Sequence, residues 1–249
     1  MPGWGLLTLT SVWGSDQGQL ILAGNGQDDT GESTGFLGWI GRDRTDRHIA
    51  KVPGYVLNVM TVGPRGMIWA VRSNREEPPG SNILLRFSPD GKLLTSTYLS
   101  VRRGGALRKD KPPLGGRDVA FNSRLRASLD RVAWLTTRNE YIEFDSTGSV
   151  TLQLNGPSTE RYGWMHDTLA ISAANTVLIS TRHWRDNQAV QDFWSLDRLK
   201  QRWFHSEAAE ATFPSNTQVY GFDGEDLMTS GHKPQLGQLL VRYRLSETK

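Results

Sequence analysis

The 249-residue chain contains no cysteine. Disulfides, thiolate metal sites and cysteine nucleophiles are therefore excluded, and either a reducing or an oxidising compartment is compatible with the chain. No apolar run is long enough to cross a bilayer as a helix, so no membrane span is predicted. Met1-Pro2-Gly3-Trp4 lacks the basic start and apolar core of a secretory signal. A cytoplasmic protein and a periplasmic or secreted one with its signal removed both fit. The Gly-Lys-Ser/Thr phosphate loop and the Gly-x-Ser-x-Gly nucleophile turn are missing. Gly24-Asn25-Gly26 has no downstream glycine and helix, so it is not read as a nucleotide site. Five histidines occur, at His48, His166, His183, His205 and His232, without the two-His helical spacing of zinc proteases. No catalytic residue and no metal ligand is assigned. The loop Asn25-Gly26-Gln27-Asp28-Asp29-Thr30-Gly31-Glu32 has the composition of a calcium loop but not its regular acidic spacing, and is read as a flexible acidic loop.

Hydrophobic residues make up only 37% of the chain, yet nine Trp, eight Phe and six Tyr set it apart from a disordered polymer. Twenty-six Gly and eleven Pro demand frequent turns, which favours many short strands over a few long helices. The net charge of +3 is unevenly spread. Residues 1–50 carry three basic and six acidic side chains, whereas residues 101–131 carry nine basic and three acidic ones.

Internal similarity is the main signal. Five segments share one apolar pattern: Leu37-Gly38-Trp39-Ile40, Leu84-Leu85-Arg86-Phe87, Tyr141-Ile142-Glu143-Phe144, Phe193-Trp194-Ser195-Leu196 and Leu240-Val241-Arg242-Tyr243. Their last residues are 47, 57, 52 and 47 apart. Polar turns such as Ser88-Pro89-Asp90-Gly91 and Asp145-Ser146-Thr147-Gly148 follow, then a further strand, which is a hairpin signal. A strand precedes each segment, at 20–23, 68–71, 132–135, 177–180 and 227–230. Ahead of these lies another, at 6–13, 55–62, 118–121, 168–172 and 218–222. The Gly/Pro/Lys/Arg stretch at 101–117 is read as an insertion in one connecting loop. Each repeat is thus predicted to be a four-stranded antiparallel meander that covers its faces by stacking on its neighbours. The predicted fold class is all-β, a β-propeller of about five blades in a single domain over 1–249. The last repeat stops after its third strand, so the final sheet lacks its outer strand or the chain is part of a six-bladed propeller.

Gly66-Met67-Ile68-Trp69-Ala70-Val71, followed by Ile83-Leu84-Leu85-Arg86-Phe87-Ser88-Pro89-Asp90-Gly91-Lys92-Leu93-Leu94, resembles a blade of the NHL-type and related six-bladed propellers. The likeness is clear over residues 56–100 and is one of pattern elsewhere. The WD-repeat signature, a Gly-His pair completed by a Trp-Asp ending, is absent. The resemblance implies architecture rather than chemistry. Some six-bladed relatives are metal-dependent lactonases or esterases with a divalent cation held by Glu, Asn and Asp, but those ligands find no residue-by-residue match here.

In a meander the second-to-third connections and the connections leading to the next sheet share one face. The long loops predicted here nearly all fall on that face, where binding usually resides. Arg72, Arg138 and Arg182 are expected just past the second strand of three repeats, and Lys233 with His232 near the matching point of the fifth. His183, Trp184 and Arg185 extend the set; His166, Tyr162 and Trp164 are expected in a neighbouring loop. Guanidinium groups at such a mouth bind carboxylate or phosphate bidentately, and the aromatic residues add contact area. The same arginines also suit a second role, pairing with an acid of the next sheet or lying over an aromatic ring. The function predicted is a non-catalytic scaffold or binding protein for an acidic protein, peptide or small anion, without a cofactor. The rival is a hydrolase with a divalent cation such as Ca2+ in a central channel. Acidic residues in the same loops and the modest net charge speak against nucleic acid as the main partner.

Overall fold

The computed structural model describes residues 4–15, 17–27, 29–73, 84–97, 124–136, 139–157, 165–185, 188–205, 219–233 and 237–244. Its described elements are strands, apart from one 3-10 turn at Pro64–Gly66. The first sheet runs β1 (Leu6–Gly14), β2 (Leu20–Gln27), β3 (Ser33–Ile40), β4 (Arg47–Val52). The second runs β5 (Val56–Val62), β6 (Ile68–Ser73), β7 (Leu84–Phe87), β8 (Leu93–Thr97). The third is built from β9 (Arg124–Ala127), β10 (Arg131–Leu135), β11 (Glu140–Asp145) and β12 (Val150–Asn155). The fourth runs β13 (Met165–Ile171), β14 (Val177–Arg185), β15 (Gln188–Asp197), β16 (Arg202–His205). The fifth has three described strands, β17 (Val219–Asp223), β18 (Asp226–Lys233) and β19 (Gly237–Arg244). Strand order follows chain order in every sheet, as the repeat predicts.

The chain divides into two compact units. The first comprises Met1–Ala127 with Thr136–Arg138, the second Ser128–Leu135 with Asn139–Lys249. In the first unit, period-two alternation turns Ile21, Ala23, Leu37 and Trp39 of the first sheet toward Leu57, Met60, Ile68, Ala70, Leu85 and Phe87 of the second. Fully burying one such large side chain contributes about 1.5–3 kcal/mol. Asn25 clamps the backbone of Leu57, with Nδ2 donating to its carbonyl at 2.8 Å and Oδ1 accepting its N–H at 2.7 Å. Gly35 donates its N–H to the Tyr55 carbonyl at 2.5 Å. A Cβ at Gly35 would lie 2.8 Å from that same oxygen and 2.9 Å from Leu57 Cγ, so the contact requires glycine.

Two clusters of buried residues are described in the second unit. Ala133, Leu135, Tyr141, Leu169, Ile171, Val177 and Ile179 form one. Ala170, Leu178, Phe193, Val219 and Leu227 form the other. One β-bulge recurs in the first strand of four sheets, between Leu9 and Ser11, Leu57 and Val59, His166 and Thr168, and Val219 and Gly221. It marks equivalent positions from sheet to sheet and adds twist to each strand.

Two strand predictions require correction. The first strand of the third sheet is 124–127, not 118–121, which lies outside the described residues. The second strands are longer than predicted: β2 continues to Gln27, β6 to Ser73, β14 to Arg185 and β18 to Lys233. A backbone ladder is indifferent to polar side chains, so Thr, Arg, His and Lys extend strands past their apolar cores.

Candidate functional site

Longer second strands change where the predicted residues sit. Arg72, Arg182, His183, Trp184, His232 and Lys233 all belong to strands rather than to the loops after them. His166 likewise lies in β13 and not in a connecting loop; its backbone is paired with Thr181, beside the Met165–Arg182 pair. Arg138, Tyr162, Trp164 and the inserted basic loop 101–117 lie outside the described residues.

Arg72 is buried, 5% exposed, with its guanidinium 4.2 Å from the centre of the Tyr55 ring. It takes the second of the two roles open to it, a cation lying on an aromatic face between β6 and the start of β5. Asn25, at the head of the acidic loop, is taken up by Leu57, and Gln27 Nε2 donates to the Gly31 carbonyl at 2.9 Å. Among the described residues no three His, Asp or Glu side chains gather as a metal-holding group.

In the second unit the structure aligns two cation-bearing strand ends. Thr168 Oγ1 of β13 donates to the Val219 carbonyl of β17 at 3.0 Å, and the Ala173 N–H donates to the Gly224 carbonyl at 3.4 Å. Contacts that advance together along both strands mean that β13 and β17 run in the same direction. β14 and β18 are antiparallel to them. Both second strands therefore finish at the same end of their sheets, β14 with Arg182-His183-Trp184-Arg185 and β18 with His232-Lys233. Thr229, buried on β18 on the face toward the fourth sheet, and Ser180 and Gln191 on the facing side of that sheet carry buried polar atoms without hydrogen-bond partners among the described residues. Such groups call for water or a polar ligand.

Two arrangements were not foreseen. Glu143, 1% exposed, accepts from Tyr141 Oη at 2.5 Å, Arg131 Nη1 at 2.9 Å and Arg198 Nη2 at 2.6 Å, while Arg198 Nη1 donates to the Asn175 carbonyl. Burial, then the Glu143 charge, pushes the Tyr141 phenol well above its usual range. Both guanidinium groups and the phenol converge on one carboxylate, which makes the cluster a lock between β11 and the turn after β15. Its signal was an acidic residue at an alternation-inward position of an apolar strand. The other is Arg126, whose Nη1 donates to its neighbour's carbonyl at 2.9 Å. Burial, then the adjacent Arg124 charge, lowers its basicity, and no carboxylate among the described residues offsets either effect.

No family model and no curated protein matches the chain. Among solved structures it is similar to the β-propeller domain of the Trilobed protease from Pyrococcus furiosus, at TM-score 0.57 and 11% identity, covering 97% of this chain and 70% of that one. It is also similar to a polysaccharide lyase of family PL25, an ulvan lyase, at TM-score 0.53 and 12% identity, covering 93% and 65%. HIRA matches at TM-score 0.47 and 12% identity, over 82% of this chain and 56% of that one. The chain thus spans less than two thirds of the lyase and HIRA chains. At these identities the likeness shows the fold alone: an all-β protein of the β-propeller class, built of antiparallel meander sheets. The NHL-type likeness of residues 56–100 has no matching family model behind it.

Proposed function

We propose that this chain is a non-catalytic binding module that holds an acidic segment of a partner protein at the ends of β14 and β18. The observation that carries this reading is the shared end of the two strands, with Arg182, His183 and Arg185 in β14 and His232 and Lys233 in β18 of one compact unit. Trp184 belongs to the same stretch and supplies contact area beside the charges, with His166 one position away on β13. Tyr162 and Trp164 join the site by sequence position. Arg72, seated on Tyr55, supports the scaffold rather than the ligand. The fold by itself leaves the chemistry open, since it serves both a protease and a lyase crystallised with -[GlcA(1-4)Rha3S]-.

The test is fluorescence anisotropy with a labelled polyglutamate peptide. The Arg182→Ala/Lys233→Ala double variant is expected to bind at least tenfold more weakly, in line with losing two charge-assisted contacts of roughly 1 kcal/mol or more each, and with a shallower salt dependence. An unchanged affinity overturns the proposal. Full competition by inorganic phosphate would reassign the site to a small anion.

A further inference from the structure

Within the second unit, the facing sides of the fourth and fifth sheets change character along their strands. Ala170, Leu178, Phe193, Val219 and Leu227 pack together between them. Cross-strand partners share a face, so Ser180, paired with Thr168 and with Phe193, stands on the fourth sheet's side of this seam. Gln191, two residues before Phe193 in β15, stands on the same side and is paired with Arg182. Thr229, paired with Val219, faces them from the fifth sheet. The neighbouring Thr168 hydroxyl is spent on the Val219 carbonyl at 3.0 Å. Ser180 Oγ, Thr229 Oγ1 and both Oε1 and Nε2 of Gln191 have no hydrogen-bond partner among the described residues. These three residues are 1%, 0% and 8% exposed. A buried polar group left unpaired costs its full desolvation, so three of them in one seam mark a place that a ligand group completes.

We propose that Gln191 sets the specificity of the site at the ends of β14 and β18 by binding the backbone of the acidic segment whose carboxylate pairs with Arg182. The proposal rests on the function proposed above and names the second feature its ligand must carry. Gln191 and Arg182 are direct cross-strand partners, which sets their Cβ atoms about 5 Å apart on one face. A carboxylate held at Arg182 is therefore within reach of the Gln191 amide. That amide carries donors and an acceptor together. Nε2 suits the carboxylate. Oε1 requires a donor, which a bare anion such as sulfate lacks and a peptide supplies as the N–H of the acidic residue itself. A hydroxyl serves as donor or acceptor, so Ser180 and Thr229 adapt to the same group. Entry is from the strand ends. Exposure is least at Thr229 and Ser180 and rises at Gln191. On β18 the seam face runs from Thr229 through Gly231 to Lys233, so no side chain of that face stands between the hydroxyl and the cation. Bound water is the rival occupant, since it could satisfy the same atoms in the free chain.

A cycle of four affinities tests this, each measured on the full chain by competition with the labelled polyglutamate peptide. Wild type and Gln191→Met are each titrated with plain polyglutamate and with polyglutamate methylated on its backbone nitrogens. Methylation removes the N–H and keeps the carboxylates, and its effect on peptide shape is common to both proteins. It is expected to weaken binding to wild type at least about fivefold, the loss of one net hydrogen bond, and binding to Gln191→Met less than about twofold. An equal penalty in both proteins overturns the inference. Failure of the underlying reading shows separately, as an affinity for the plain peptide that Arg182→Ala/Lys233→Ala leaves unchanged. In the free chain Gln191→Met, close in shape but without the polar atoms, is expected to leave the melting temperature unchanged or raised. A lowered one means that water or the fold already completes the amide, and overturns the inference as well.

Discussion

Glu143 meets Tyr141, Arg131 and Arg198 in a setting where a charge left alone is costly. Removing one partner of a fully buried charged cluster costs about 3–5 kcal/mol; here Arg131 and Arg198 keep about a quarter of their side-chain exposure, so the loss is expected at or below that range. Glu143→Gln is expected to lower the urea midpoint of the full chain accordingly; a shift of less than about 1 kcal/mol would show that the lock is inert. Arg126 is the reverse case. Its charge is half-buried, stands beside Arg124 and has no carboxylate among the described residues to offset it. Arg126→Met, which keeps the stem and removes the charge, is expected to leave thermal stability unchanged or raised, and a lower melting temperature would reveal a partner for that guanidinium. At this scale the sequence was partly legible. Alternation in Tyr141-Ile142-Glu143-Phe144 sets Glu143 on the Tyr141 side of the strand, but Arg198 is 55 residues away and no spacing rule joins them. Arg72 was legible as a strand-end cation, while its seat on Tyr55 depended on how β5 enters its sheet.

Four sheets use the same device between their third and fourth strands. Asp43, Asp90, Asp145 and Asp197 stand at these turns and accept hydrogen bonds from turn residues. Asp145 Oδ1 accepts the N–H groups of Thr147 at 2.8 Å and Ser149 at 3.0 Å. The side-chain hydrogen bond from Thr147, then that from the Ser149 backbone, holds its carboxyl below the ordinary 3.8. Asp43, Asp90 and Asp197 are shifted in the same direction by their own turn donors. A carboxyl depressed in the folded state contributes stability that is fully present above the unfolded value and lost as pH falls through the folded one. The melting temperature should therefore hold above about pH 5 and drop below pH 4, and Asp145→Asn should flatten that acid limb. An acid limb identical in the variant would remove these bonds from the account. Gly35 sets the approach of β3 to Tyr55, so Gly35→Ala is expected to lower the denaturation midpoint by pushing a Cβ into backbone. The turns and third strands were readable because their residue types are demanded locally. Strand lengths were not, since β14 and β18 continue through Arg, His and Lys on backbone pairing alone.

Across the whole chain, five meanders with one repeated bulge realise the period read from the apolar segments. The anion-binding test belongs to this scale, because it depends on a surface assembled from residues far apart in sequence. Repetition, the hairpin turns and the β-propeller class followed from the amino-acid order, since alternation and turn chemistry act over a few residues and recur at a fixed interval. Tertiary structure alone decided which cations are spent inside the protein. It seated Arg72 on an aromatic ring, spent Arg131 and Arg198 on Glu143, and brought the ends of β14 and β18 to one side of their unit. The physical reason is that the burial of a side chain depends on what stands opposite it, and what stands opposite is set by the stacking of sheets rather than by the strand that carries it.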